Sequence, residues 1–235
     1  MNNFCIVIPN YNHITVIDDV LSQLSSFNLP IIMVDDASNA EAKSVFSKLD
    51  AKYTQLSVVT HDDNQGKGGA VQTGLKQAYK LGFSHAIQVD ADGQHDVKEL
   101  PRLYEIFLEE NADFLIGARD FDTGYIPLRS RIGNKTTKVI SGLLLGRHLP
   151  DTQSGYRLIS RNFLEKELDN IPGGRYETEM HMIAIAIRGE YTLASSPIRT
   201  IYETGNHSSH FNVTRDSFLI YRKLFGLWIS RYLGK

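Results

Sequence analysis

A regular alternation of short apolar runs and longer amphipathic stretches in the first half of the chain constrains the fold more than any other feature. The apolar runs, rich in Val and Ile, predict strands at 4–8, 31–34, 56–60, 85–89 and 114–117. Between them, apolar residues recur at helical spacing near 14–26, 40–52, 67–81 and 97–110. Strands that alternate with helices of this length form crossover units, in which neighbouring strands run parallel. The pattern therefore predicts an α/β fold whose mostly parallel sheet is flanked by helices on both faces.

The second half of the chain is less regular. It carries helical patterns near 130–146, 177–188 and 214–233 and short extended pieces near 156–160 and 192–200. The 235 residues contain no internal repeat, linker or low-complexity tract. One domain over 1–235 is therefore the prediction.

Composition narrows the class of protein. Hydrophobic residues make up 42% of the chain and charged residues 22%, as in soluble proteins with a substantial core. The net charge of −2 does not suggest nucleic acid as a partner. The single cysteine, Cys5, excludes an internal disulfide and a cysteine-rich zinc site. No basic region precedes the first apolar residues, and no apolar stretch approaches the ~18 residues that span a bilayer, so a cytoplasmic protein is expected.

Polar clusters follow four of the predicted strands, at the point where each strand ends. They lie at 9–12, 35–36, 62–64 and 90–92 and are rich in acids and amides. Ligands of open α/β sheets bind at the carboxyl ends of the strands. A solvated loop explains any one cluster, but four at one edge favour a binding site there.

The tripeptide Asp90-Ala91-Asp92, after the fourth strand, is the strongest candidate site. Two carboxylates at this spacing can converge on one hard cation, which would neutralise a departing diphosphate. A calcium-binding loop would need Gly and Glu where the chain has His95 and Pro101. A tight turn between strands is disfavoured because a helical pattern follows from Asp96, and a helix cap there leaves the two earlier acids unexplained. Metal binding is therefore the favoured interpretation.

A glycine-rich segment, 64–70, precedes the third helical pattern. Its free backbone N–H groups favour an anion, to which Lys67 could add a charge. The segment lacks the Ser or Thr of a Walker loop, and Val71 stands where the dinucleotide fingerprint needs its third Gly. Close packing of the helix against the sheet explains the glycines equally well.

Three arginines, Arg119, Arg129 and Arg131, lie in or beside a loop at 117–128 that Gly and Pro interrupt. Guanidinium groups bind phosphate through two parallel hydrogen bonds. We therefore expect Arg119 and Arg131 to contact a second, anionic substrate, with solvated surface positions as the alternative.

Two later acids are candidates for a catalytic base. Asp151 begins a polar segment, 151–157, which a turn held by its own Asp–Arg pair would also explain. Glu179 lies at the start of a helical pattern, where acids gain from the helix dipole whether or not they are catalytic. Both interpretations stay open for each residue.

The C-terminal segment carries an aromatic stripe with basic residues around it. Its members, spaced three and four apart, are Phe218, Tyr221, Phe225, Trp228, Ile229 and Tyr232. Core packing is the default interpretation of such a helical face, and binding in a membrane interface is the alternative.

Seven segments, in order along the chain, resemble the motifs of glycosyltransferase family 2, and within it the branch of dolichyl-phosphate mannose or glucose synthases. They are Ile8-Pro9-Asn10-Tyr11-Asn12, Val34-Asp35-Asp36-Ala37-Ser38, Asn64 to Ala70, Asp90 to His95, Gly117-Ala118-Arg119, Arg131 with Asn134, and Asp151 to Arg157. Any one of these motifs is weak, whereas seven in order are specific.

The resemblance implies a GT-A fold, with a Rossmann-like, nucleotide-sugar-binding half at 1–120, an acceptor half at 121–213 and an amphipathic helix at 214–235. It also implies that Asp90, Asp92 and Gln94 bind Mg²⁺ or Mn²⁺ and that Arg119 and Arg131 face an acceptor phosphate. The residues it assigns to the donor site are Pro9, Tyr11, Asn12, Val34, Asp36, Lys67, Gly68, Asp90 and Ala91.

The chain departs from the family in two places. His13 stands where the opening turn usually ends in Glu. Late in the chain, Glu203 and then Ser209-His210-Phe211 stand where the synthases carry an Arg and then Ser-Lys. We expect either that His210 replaces the lysine over the diphosphate or that the acceptor has changed.

The expected activity is inverting transfer of a hexosyl unit from a GDP- or UDP-sugar to a polyprenyl phosphate or another lipid or glycan of the cell envelope. Asp92, Arg119 and Arg131 are the expected catalytic residues for any acceptor. A phosphate oxygen needs no base, whereas a hydroxyl acceptor would need Glu179 or Asp151 to take its proton. The rival expectations are a nucleotidyltransferase and a non-catalytic sugar-nucleotide-binding module. A lipid acceptor would also place the protein at the inner face of the membrane as a peripheral protein.

Overall fold

The computed structural model of the chain describes residues 3–119 and 149–199, three single positions, Gly142, Gly146 and Ile201, and positions 218, 219, 222, 225, 226 and 229 of the C-terminal segment. The predicted helix at 130–146 and most of the one at 214–233 lie outside the described residues. So do other residues that the sequence singled out, among them Arg129, Arg131, Asn134, Glu203, His210, Tyr221, Trp228 and Tyr232.

One sheet of seven strands organises the described part of the chain. The strands are β1 (Phe4–Asn10), β2 (Ile31–Asp35), β3 (Leu56–Thr60), β4 (His85–Gln88), β5 (Phe114–Arg119), β6 (Arg157–Ser160) and β7 (Leu193–Ile198). Their order across the sheet is β3-β2-β1-β4-β6-β5-β7. Only β6 is antiparallel to its neighbours among these strands, so the mostly parallel sheet confirms the predicted fold class.

The helices connect these strands and cover the sheet. The described ones are α1 (Ile17–Ser25), α2 (Ala40–Lys52), α3 (Lys67–Lys80), α4 (Leu100–Glu109), α5 (Arg161–Glu167) and α6 (Glu177–Arg188), with 3₁₀ turns at Val97–Glu99 and Leu168–Asn170. All except α5 were predicted to within a few residues. The α5 helix was missed because it is one short stretch that buries only Phe163 and Leu164, too few for a period to be detected.

The sheet separates two apolar clusters, one on each face. Along β1, the side chains of Phe4, Ile6 and Ile8 pack into one cluster, and those of Cys5 and Val7 pack into the other. This alternation follows from the two-residue period of a strand. Because both faces are covered, β1 is apolar almost throughout, and its polar residue, Asn10, stands at its carboxyl end.

The antiparallel strand β6 decides which loops meet at the site. It lies between β4 and β5, with Arg157 opposite Gln88. Its amino end therefore lies beside the carboxyl end of β4. As a result, the polar segment 151–156 packs against the loop that carries Asp90 and Asp92.

Candidate active site

Asp90 follows β4 at the carboxyl edge of the sheet and lies at the centre of the candidate site. Lys67 Nζ donates a hydrogen bond of 2.8 Å to Asp90 Oδ2, and His95 Nε2 lies 3.6 Å from the same oxygen. Burial alone would raise the pKa of Asp90, but Lys67 and His95 outweigh burial and hold the pKa well below its usual range. The buried Oδ1 of Asp90 has no hydrogen-bond partner among the described residues. An ionised oxygen buried without a partner is costly, which favours a ligand at this position.

Gly155 provides the space in which the Asp90 carboxylate lies. A Cβ atom at position 155 would come within 2.1 Å of Asp90 Oδ2 and 2.2 Å of Oδ1. Such distances exclude every side chain unless the Asp90 carboxylate or one of the two loops moves. The glycine is therefore required for a contact between two loops that are far apart in the sequence.

The other two predicted metal ligands, Asp92 and Gln94, lie in the same loop as Asp90. Both are half-buried, and the N–H of Gln94 donates a hydrogen bond of 3.0 Å to Asp92 Oδ1. The N–H of Ile201 donates to the carbonyl oxygen of Gln94 at 2.9 Å, which attaches the chain beyond β7 to this loop.

The donor set of this loop suits a hard divalent cation. Within 3–119 and 149–199, no group of three or more His, Cys, Asp or Glu side chains is gathered closely enough to hold a metal ion. The loop instead carries two carboxylates and one amide oxygen, which are the oxygen ligands that Mg²⁺ and Mn²⁺ favour. The partnerless Oδ1 of Asp90 is where such an ion fits.

Lys67, the first residue of α3, bridges two carboxylates. Its Nζ lies 2.8 Å from Asp90 Oδ2 and 2.8 Å from Glu179 Oε1. Glu179 is buried on α6 and also accepts a hydrogen bond of 3.0 Å from Gln88 Nε2. Desolvation would lower the pKa of Lys67, but the two carboxylates outweigh it and raise the pKa above its usual value. The lysine is therefore a permanent positive charge inside the site.

Asp151 is fully buried and is held by Arg119. Arg119 Nε and Nη2 donate to its two carboxylate oxygens at 2.7 Å and 3.2 Å. Burial would raise the pKa of Asp151, but the charge and hydrogen bonds of Arg119 outweigh burial and lower it. The partner of Asp151 is thus Arg119, not the Arg157 of its own segment, so the self-contained turn that the sequence suggested is wrong.

The guanidinium group of Arg157 is fully buried and joins three parts of the fold. It donates hydrogen bonds to the carbonyl oxygens of Ser154, Glu179 and Thr152 at 2.8, 2.7 and 3.1 Å. Burial lowers the pKa of Arg157, although nearby carboxylates act to raise it. Through these bonds the arginine ties the 152–154 loop to the backbone of α6.

The start of α3 is capped from within the protein. The N–H groups of Gln65 and Gly66 donate to the two carboxylate oxygens of Asp36, both at 2.8 Å, and the N–H of Gly69 donates to Gly174 O at 3.0 Å. Three of the amide groups that were candidates for an external anion, those of Gln65, Gly66 and Gly69, therefore already have partners. This arrangement favours close packing as the reason for the glycines.

Gly68 also has a packing function. A Cβ at this position would come within 2.0 Å of Thr178 Oγ1 on α6. The glycine lies buried between the two helices, and its contact with a donor stays a prediction.

The remaining residues assigned to the nucleotide differ in exposure. Tyr11 is exposed, whereas Pro9, Val34 and Ala91 are buried. Asn12 has a positive φ of 59°, and its N–H donates at 2.9 Å to a serine hydroxyl in the loop after β2. Their roles in binding a nucleotide stay predictions.

Two residues of the site were missed by sequence reasoning. Gln88 is a fully buried amide in an otherwise apolar strand, and His95 packs on the ring of Tyr156 with centroids 5.3 Å apart. A polar residue inside a buried strand is the signal that would have identified Gln88, and it applies to Arg157 as well. No local pattern distinguishes His95 from a surface histidine.

Solved structures show the same architecture. The S. aureus protein TarS in complex with UDP-GlcNAc matches with a TM-score of 0.62 at 17% identity, over 97% of this chain and 66% of that one. The mannosyltransferase PcManGT from Pyrobaculum calidifontis, in complex with GDP-Man and Mn²⁺, matches with a TM-score of 0.62 at 15% identity, over 99% of this chain and 64% of that one. This chain thus spans about two thirds of the length of each. The fold is that of the GT-A glycosyltransferases.

The family follows from the sequence. Residues 5–168 match the profile of glycosyl transferase family 2, and the chain belongs to this family. It is 30% identical to the UDP-N-acetylglucosamine–dolichyl-phosphate N-acetylglucosaminyltransferase of Methanococcus voltae, over 93% of this chain and 94% of that protein. It is 28% identical to the polyprenol monophosphomannose synthase of Mycolicibacterium smegmatis, over 82% of this chain and 75% of that protein.

Proposed function

We propose that the chain transfers a hexosyl unit, with inversion, from a nucleoside-diphosphate sugar to a polyprenyl phosphate. Membership of glycosyl transferase family 2 establishes the class of enzyme. The names of the similar proteins from M. voltae and M. smegmatis support a lipid-phosphate acceptor. They also support UDP- and GDP-sugars as the first donors to examine.

We propose that the transfer depends on Mg²⁺ or Mn²⁺ held by Asp90, Asp92 and Gln94. Such a cation supplies charge neutralisation for the departing nucleoside diphosphate. The partnerless Oδ1 of Asp90 and the space left by Gly155 support this ligand set. Asp92 and Gln94 are half-buried in the same loop as Asp90, and we propose that they complete the ligand set.

The proposal of a phosphate acceptor rests on the ion pairs that the two candidate bases, Asp151 and Glu179, already make. Asp151 is paired with Arg119, and Glu179 is paired with Lys67, both below the surface. A hydroxyl acceptor must lose its proton to a base as it attacks, and neither carboxylate is placed to take it. A phosphate oxygen is already an anion, so it needs no such base. Arg119, the last residue of β5, lies at the edge of the sheet where an acceptor phosphate would arrive.

The C-terminal segment supports contact with a lipid surface. Phe218, Phe225 and Ile229 are exposed and, with the exposed Arg222, share one helical face by their spacing of three and four residues. Among the described residues, no helix combines the length and the apolar character needed to cross a bilayer. We therefore propose a peripheral contact, with the apolar side chains of this face in the membrane interface.

The experiment compares two acceptors that differ only at the reacting end. The full chain, with Mn²⁺ and either UDP-GlcNAc or GDP-mannose, is incubated with vesicles containing a polyprenyl phosphate or the polyprenol of the same length. We expect the glycosyl phosphate lipid and free nucleoside diphosphate with the phosphate only, and flotation of the chain with the vesicles. Transfer to the polyprenol alone would contradict the acceptor class. A parallel incubation with UTP or GTP and a hexose 1-phosphate tests the rival activity, because release of pyrophosphate there would indicate a nucleotidyltransferase instead.

A further inference from the structure

Lys67 occupies a position that competes with the proposed metal. Its Nζ donates to Asp90 Oδ2, so only Oδ1 of this carboxylate is left for a cation. The lysine side chain is only 18% exposed, and the ring of Tyr176 lies 5.5 Å from its Nζ. An ammonium group so enclosed is fixed in place and cannot be replaced by water without leaving two buried carboxylates unpaired.

The inner part of the site is balanced in charge before any ligand is bound. Three carboxylates, those of Asp90, Asp151 and Glu179, meet three cations, which are Lys67, Arg119 and Arg157. A divalent cation bound here adds positive charge beside Lys67, in a region where three acids are already neutralised and Asp92 is the one further acid of the proposed ligand set. Such a cation is repelled by Lys67 at short range, where screening by water is weak.

We propose that Lys67 is an internal counter-charge that weakens binding of a divalent cation to the free protein, and that Glu179 sets how strongly it does so. The proposal rests on the proposed function, because it takes Asp90 and Asp92 as metal ligands. While Glu179 pairs with Lys67, it neutralises part of the lysine charge. The ammonium group is then shared between Glu179 and Asp90. The negative diphosphate of the donor offsets the remaining repulsion, so the cation binds well only together with the donor.

The prediction concerns Mn²⁺ alone, without donor or acceptor. Removing the lysine charge by Lys67→Met frees Asp90 Oδ2 and makes the site more negative, so we expect Mn²⁺ to bind about tenfold more tightly. Removing the carboxylate by Glu179→Gln leaves the lysine charge unbalanced, so we expect binding about tenfold weaker. The double variant Lys67→Met/Glu179→Gln should lie between the two. Free Mn²⁺, measured by its electron paramagnetic resonance signal during titration of the full chain, gives the dissociation constants.

Two controls separate this effect from a general loss of structure. Lys48→Met removes an exposed lysine from α2 and should leave Mn²⁺ binding unchanged. If Lys67→Met does not fold, the comparison moves to the double variant against Glu179→Gln, in which adding Lys67→Met must tighten binding. If Lys67 and Glu179 only held the site in shape, both single variants would bind Mn²⁺ more weakly. Tighter binding by Lys67→Met together with weaker binding by Glu179→Gln is therefore the diagnostic result.

Different results would overturn this inference and the proposed function. If wild-type protein binds Mn²⁺ and Asp92→Asn weakens that binding, but Lys67→Met weakens it too, the counter-charge is overturned and the metal site stands. If wild-type protein binds no Mn²⁺ even with UDP or GDP present, the metal site of the proposed function fails, and the counter-charge falls with it.

Discussion

At the scale of a single residue, Gly155 shows how tightly the site is assembled. The residue belongs to the segment before β6, yet the atoms that would meet its side chain belong to Asp90 after β4. Its burial and its lack of a Cβ allow the Asp90 carboxylate to reach the position between Lys67 and the backbone. A glycine that appears in the sequence as part of a turn is thus part of the proposed metal site.

We predict that Gly155→Ala inactivates the enzyme without unfolding it. The added methyl group displaces the Asp90 carboxylate, and a misplacement of about 1 Å in a catalytic site costs about 100-fold in rate. Release of nucleoside diphosphate in the presence of polyprenyl phosphate measures the rate, and circular dichroism checks the fold. Gly173→Ala is the matched control, because a Cβ there lies 3.7 Å from its nearest neighbour, an ordinary contact. Full activity of Gly155→Ala would show that Asp90 need not stay where it lies.

At the scale of elements, the contact between α3 and α6 positions Lys67 and Glu179. Gly68 lies against Thr178, whose hydroxyl donates to the carbonyl oxygen of Pro172 at 3.1 Å. The close approach brings the first turn of α3 to the first turn of α6. A larger residue at either position would separate the helices and, with them, the ammonium and the carboxylate.

We predict that Gly68→Ala lowers the free energy of unfolding by about 2 kcal/mol, as overpacking of a tight contact does. Thr178→Ala in the same chain removes the hydroxyl that clashes and should recover part of the loss. The Cβ of residue 178 and the carbonyl oxygen of Arg175 would still lie 2.5 and 2.6 Å from the new Cβ, so the recovery should be incomplete. Urea denaturation of both single variants and the double variant gives the coupling energy. If the losses of unfolding free energy in the two single variants simply add in the double variant, Gly68 and Thr178 do not lie in contact.

At the scale of the whole molecule, Arg157 joins the sheet, the loop that carries Asp151, and α6. Its charge lies in the interior near three carboxylates, while its hydrogen bonds go to backbone carbonyl oxygens. The arginine thus contributes to the charge balance of the site and to the connection between its parts. Removing it leaves carbonyl groups without partners, which is more costly than losing an exposed ion pair.

We predict that Arg157→Met destabilises the protein by about 3 kcal/mol, because buried polar partners are left unpaired. Arg161→Met is the matched control. That arginine is half-buried and donates one described hydrogen bond, of 3.0 Å, to Phe83 O, so its loss should cost about 1 kcal/mol or less. Urea denaturation measures both, and similar costs for the two variants would exclude a special role for Arg157.

The strands and helices of the first half could be predicted because their signals are local. The apolar runs before Asn10, Asp35 and Asp90 mark buried strands, and the polar loops that follow them mark the carboxyl edge. The antiparallel direction of β6 could not be predicted, because a strand of four residues carries no information about which neighbours it pairs with. The same limit applies to α5, which is too short to show a period.

The sequence by itself determined the α/β class, the polar loops at the carboxyl edge of the sheet and the acidic pair at Asp90 and Asp92, because strand period, loop polarity and motif spacing are properties of neighbouring residues. Only the tertiary structure decided which charges meet. It paired Asp151 with Arg119 and Glu179 with Lys67, and it used Asp36 to cap α3. Partners so distant in the chain are selected by strand order and helix packing. These partners decide which carboxylate oxygens are left for the proposed metal, as Lys67 does for Asp90.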